Sequence, residues 1–101
     1  MEKNDSQKAD KKTYDFTRLE IEENIGEFVE RDLRKLVGNN IHRQTGDIGM
    51  DEISRQIYRD GKAELTVDEV KIIVLYVNSD ACTMNIAARQ AVTKLLTPNK
   101  D

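Results

Sequence analysis

The residues best equipped for chemistry lie between Tyr58 and Glu69, where Asp60, Glu64, Asp68 and Glu69 lead into an apolar stretch. Oxygen ligands spaced along a loop and closed by a glutamate are how an EF-hand holds calcium, with glycine at the sixth position. Counting back from Glu69 as the last ligand puts Tyr58 first, Lys62 fifth and Ala63 sixth, so only Asp60 and Glu69 supply carboxylates where the ion needs them. A lysine ammonium at a ligand position repels the ion, and no metal site is expected. His42 stands in Ile41-His42-Arg43-Gln44 without a carboxylate at helical spacing, so pairing it as a base with Cys82 depends on the fold bringing the two together. Cys82, beside Ala81, is read as a small core filler. One cysteine and one histidine make neither an internal disulfide nor a metal cluster. Glycine-rich phosphate loops, zinc spacings and a serine elbow are all missing. The expectation is a chain with no catalytic residues, no cofactor and no small-molecule substrate.

Nucleic-acid recognition is the next chemistry to weigh. Sixteen Lys and Arg against nineteen Asp and Glu give a net charge of −3, which does not suit general phosphate neutralisation. A helix-turn-helix needs a small residue at the crossing, a glycine in the turn and polar base-reading side chains on its second helix. Gly61 could be the turn glycine of the second and third helices, but Ile57 stands at the crossing and the third helix offers only Lys71 to solvent. Thr83, Asn85, Arg89 and Gln90 could project from the fourth helix, although the turn before it lacks glycine. A small DNA-associated regulator with a divergent helix-turn-helix-like pair is the alternative to the main reading below.

The elements that must position these residues are read as helices. Thr17 and Glu20 form a capping-box pattern ahead of Leu19, Ile21, Ile25, Phe28, Val29, Leu33, Leu36 and Val37, spaced mostly by three and four. Glutamates crowd the first half of that stripe and Arg31, Arg34 and Lys35 the second, the order a helix dipole favours. The first helix ends at Gly38 or continues toward Gln44. Thr45 to Gly49 is a turn in which Ile48 plugs the core edge, and a second helix spans 50–59 with Gly61 as its stop. Thr66 and Glu69 repeat the capping pattern before a third helix, Val70 to Val77, whose apolar residues lie on nearly all sides. A fourth runs from about Ala81 or Thr83 to Leu96, and Pro98 closes the fold. Residues 1–13 form a disordered arm, 14–97 a single helical domain and 98–101 a polar tail. The longest apolar run, Ile72 to Val77, is far short of the ~20 residues a membrane span requires. The polar start carries no apolar signal segment, so the expectation is a soluble, cytoplasmic chain.

The stretch from Thr45 through Ile53, continuing with Ile57-Tyr58 and Glu64 to Val70, resembles small uncharacterised helical proteins of bacteriophage, prophage and other bacterial mobile-element gene clusters. That resemblance implies a bacterial or phage origin and a role in assembly or regulation, with no functional residues to carry over. The expected fold is all-α, a bundle of about four helices around a central apolar third helix. A helix apolar on all faces must be covered by its neighbours or by a second subunit. The expected function is therefore a non-enzymatic protein–protein interaction or assembly module, binding a protein partner or itself as a homodimer. Its expected contact surface is Ile72, Tyr76, Ile25 and Phe28.

Overall fold

The computed structural model describes residues 11–97, so most of the expected disordered arm and the tail from Pro98 lie outside the described residues. In chain order the elements are β1 (Lys12–Asp15), β2 (Leu19–Asn24), β3 (Glu27–Arg31), α1 (Arg34–Gln44), α2 (Ile48–Asp60), β4 (Lys62–Leu65), α3 (Val67–Val77) and α4 (Ile86–Leu96). β1 pairs antiparallel with β4, and β2 with β3, giving two two-stranded sheets beside four helices. The domain is mixed α/β. The all-α helical bundle expected from periodicity is corrected on this point, and Lys12 and Thr13, expected in the arm, belong to a strand.

The largest correction falls on the expected first helix, whose first half is the β2–β3 ribbon. A helix there would stack Glu20 over Glu23 and Glu23 over Glu27, and like charges at those spacings repel. Gly26 in its interior would cost about 1 kcal/mol more. As a strand, β2 turns Leu19 and Ile21 inward, 5% and 8% exposed, and Glu20 outward, the period of two that strands impose. Gly26 takes φ +81° in the turn, and its N–H donates to Glu22 Oε2 at 2.7 Å. Glu23 interrupts the register between Glu22 and Asn24 as a bulge, and its carboxylate accepts two bonds from Arg31 Nη2 at 2.8 and 2.9 Å. Thr17 caps no helix: its backbone N–H and its hydroxyl both donate to Asp15 Oδ1.

α1 runs straight through Gly38, and Thr45-Gly46-Asp47 then turns the chain into α2. Asp47 Oδ2 caps that helix by accepting from Met50 N–H at 2.9 Å. The two helices form an antiparallel hairpin and pack tightly at Gly38, where a Cβ would stand 2.8 Å from the Ser54 carbonyl oxygen. Ile48 does not plug the core; it is 78% exposed. α2 ends on Gly61 in the left-handed region, φ +77°, with the Gly61 N–H bonded to the Ile57 carbonyl at 2.8 Å. The chain enters β4 at once, burying Ala63 and Leu65 and exposing Lys62 and Glu64.

The junction around Gly61 joins the two halves of the domain. Phe16, fully buried, donates its N–H to the Gly61 carbonyl at 2.7 Å and accepts from Leu33 N–H at 2.8 Å. It lies in one core with Val37, Ile41, Ile57, Leu65, Ile73 and Val92.

α3 opens with the expected capping box: Thr66 Oγ1 accepts from Glu69 N–H at 3.2 Å and Glu69 Oε1 from Thr66 N–H at 2.9 Å. The helix is not a fully enclosed centre, however. Val70, Ile73 and Val77 are buried, while Val67 and Leu75 face outward. A polar clamp ties its C-terminal end to α1. Asn40, 1% exposed, and Gln44 both donate to the Tyr76 carbonyl, at 3.2 and 2.9 Å, and Ser79 Oγ donates to Gln44 Oε1 at 2.7 Å. α4 begins at Ile86, later than expected, with Asn85 as its cap.

Gly61→Ala should lower stability by about 2–4 kcal/mol, the sum of a left-handed backbone on an L-residue and a Cβ driven into Thr17 Cγ2. Thermal denaturation would read this as a fall of roughly 10 °C or more. Adding Thr17→Ser removes the struck methyl but keeps the hydroxyl, and should recover part of the loss. Unchanged melting of Gly61→Ala would contradict the junction geometry.

Candidate functional site

The ribbon carries two exposed large apolar side chains close together. Ile25, in the turn, is 97% exposed and Phe28, on β3, is 58% exposed. β2 packs along α4, and a groove of about 390 Å³ between them is lined by Leu19, Phe28, Ala87, Ala91 and Leu95, with Lys94 and Glu20 at its polar margin. Among the described residues the outer edge of β3 has no partner strand, so its outward backbone groups lack a ladder. Ile72 and Tyr76, expected on the same surface, sit on α3 and are half-buried against the core.

A second concentration of functional groups lies on the α1–α2 hairpin. His42 Nδ1 and Asp51 Oδ1 are 2.5 Å apart. Asp51 Oδ2 accepts from Arg55 Nε at 3.0 Å, and Ser54 Oγ donates to Asp51 Oδ1, also at 3.0 Å. With Nδ1 as donor, the imidazole keeps Nε2 available. These contacts hold the Asp51 carboxyl down to about 2 from 3.8, the His42 bond first, then Arg55, with Ser54 contributing less. The carboxylate partner of His42 escaped the sequence reading because it lies on the next helix. Pairing across a hairpin centred near Gly46 brings residue 42 opposite residue 51, just as it brings Gly38 opposite Ser54.

The remaining sequence candidates have structural employment. Cys82 is buried, and its carbonyl accepts from Arg89 Nη2 at 2.9 Å, while Arg89 Nε donates to the Met84 carbonyl. Asn85 caps α4, and Thr83 Oγ1 accepts from Arg43 Nη2 at 3.0 Å. Of the four polar residues expected to project from the last helix, only Gln90 faces a groove without such a bond. Strand β4 intervenes between α2 and α3, so these two helices are not joined by the short turn of a helix-turn-helix. Among the described residues no helix is long and apolar enough to cross a membrane.

No protein-family model matches the chain, and it shows no significant similarity to a curated protein or to a solved structure.

The lowered Asp51 value sets a pH dependence. A carboxylate depressed in the folded state adds stability that is complete above its ordinary value of 3.8 and is lost as the pH falls toward about 2. Carbon-detected NMR titration of the Asp51 carboxyl should therefore give a midpoint near 2, moving back toward 3.8 in His42→Ala. An ordinary midpoint in the unmutated chain would show that the His42 bond does not form in solution.

Proposed function

We propose that this chain is a non-enzymatic self-associating module in which the outer edge of β3 pairs antiparallel with β3 of a second copy. The observation that carries this reading is the ribbon itself, a two-stranded sheet in which β3, without a partner strand on its outer edge among the described residues, holds a 58% exposed phenylalanine. Two strands alone are marginal in water, whereas a joined pair of ribbons is a four-stranded antiparallel sheet.

The residue order of β3, Glu27-Phe28-Val29-Glu30-Arg31, suits a two-fold arrangement about Val29. Glu27 then lies opposite Arg31 of the second copy, and Arg31 opposite its Glu27. Phe28 lies diagonal to Phe28 of the second copy, within the reach of aromatic side chains across such a ladder. Opposite charges and aromatic contacts therefore coincide in one register. A closed two-fold contact of this kind uses the same patch on both subunits.

The unmutated protein should sediment as a dimer at high micromolar concentration. Phe28→Asp sets a carboxylate opposite Glu30 of the second copy and should shift the mass to the monomer, with helical circular dichroism kept because Phe28 is outside the core. A monomeric unmutated chain, or an undiminished dimer in Phe28→Asp, would overturn the proposal.

A further inference from the structure

The α1–α2 hairpin carries a groove of about 300 Å³ whose chemistry the ribbon does not use. Its walls present Asn39 and His42 from α1 and Arg55, Tyr58 and Arg59 from α2, over a floor made by Gly38 and Ser54. Every ionisable side chain lining it is cationic or neutral, and no carboxylate is among them. Lys35 adds a further ammonium at the rim, 5.8 Å from the centre of the Tyr58 ring. The acids of this region lie elsewhere: Asp47, Asp51 and Glu52 line a separate hollow that shares His42 and Arg55 with the groove. In a chain of net charge −3 this separation of sign is local and specific.

Asp51 arranges the donors rather than cancelling them. It takes Nδ1 of His42 and Nε of Arg55, one nitrogen from each. The terminal amino groups of the Arg55 guanidinium remain for a ligand, and so does imidazole Nε2, which donates only in the imidazolium form. Arg59 forms no ion pair among the described residues, and its own carbonyl is fixed by Arg34 Nη1 at 3.0 Å. Beneath the groove the two helices close on each other because Gly38 has no side chain to hold them apart. Two guanidinium groups, an imidazole and the neutral donors of Asn39 and Tyr58 line it from two helices. That set matches a tetrahedral dianion with several acceptor oxygens better than a planar carboxylate with two.

We infer that the groove between α1 and α2 binds a phosphoryl group, free or carried as a small-molecule monoester, through Arg55 and Arg59, joined by Nε2–H of His42 when the imidazole carries both protons. Asp51 acts as the positioning residue behind them.

The test is an amide and imidazole NMR titration of the full chain with inorganic phosphate and, separately, with phenyl phosphate, against sodium chloride at matched ionic strength. Saturable shifts at Gly38, Asn39, Ser54, Arg55 and the His42 ring are expected, with a dissociation constant of about 1 mM or below. Saturation by inorganic phosphate alone assigns the free ion; saturation by phenyl phosphate, with or without the free ion, assigns the monoester. Arg59→Gln should weaken binding about tenfold or more, as loss of a charge-assisted donor does, while Lys62→Gln on β4 should leave it unchanged. Asp51→Asn should weaken it too, with helical circular dichroism kept, because the two donors lose their common anchor. Non-saturating shifts reproduced by sodium chloride, or equal affinity in Arg59→Gln, would overturn the inference. So would tighter, salt-dependent binding of random duplex DNA spread over the whole hairpin face, which would make the groove part of a nucleic-acid surface.

Discussion

The bare Cα of Gly61 is the point on which the two halves of the domain meet. A left-handed residue ends α2 there and sends the chain directly into β4, so the helical hairpin and the β1–β4 sheet share a corner. Thr17 closes over that corner where any side chain would obstruct it, and the Gly61 carbonyl accepts the amide of Phe16. Phe16 in turn accepts from Leu33 at the entrance to α1. A short run of backbone bonds thus fixes where the ribbon leaves the body and where the hairpin begins.

The second determinant is polar. Asn40 and Gln44 reach across to the Tyr76 carbonyl, near the end of α3 where carbonyls lack helical partners. Burying Asn40 is tolerable because both ends of its amide are satisfied, the nitrogen by Tyr76 and the oxygen by Gln44 Nε2 at 2.9 Å. Apolar packing alone would let α3 slide along α1. A directional clamp sets its position, and α4, which packs on α3 and carries one wall of the ribbon groove, is placed through it.

How much of this the sequence disclosed depended on whether the signal was local. The boxes at Thr66 and Thr17 have the same letters at the same spacing, yet only Thr66 caps a helix. Its box is followed by a stretch with no glycine and few charges, while the other is followed by crowded glutamates and Gly26. The helical period through Leu19, Ile25 and Phe28 coexists with an alternation at Leu19, Glu20, Ile21 and Glu22, and the shorter pattern is the one that the fold obeys. Lys62-Ala63-Glu64-Leu65 alternates cleanly, but a four-residue strand is meaningful only beside a partner, and its partner is fifty residues earlier, from Lys12. Ile25 and Phe28 are exposed, and they stand on a ribbon rather than a helix. The His42–Asp51 contact crosses a turn, so no search along one helix could find it.

The pairing of β1 with β4 also bears on the order in which the chain can assemble. The α1–α2 hairpin and the β2–β3 ribbon are built from neighbours in sequence and need only short loops to close. The other sheet joins Thr13 to Glu64, with the ribbon and both helices of the hairpin in between. Closing that long loop costs chain entropy before the ladder returns any contact, whereas the local units carry little such cost. Docking of β1, like that of α4 on β2 across a still longer loop, therefore belongs to the completion of the domain. In native-state hydrogen exchange, the amides of β1 belong with the fold as a whole only to the extent that the corner at Gly61 is formed.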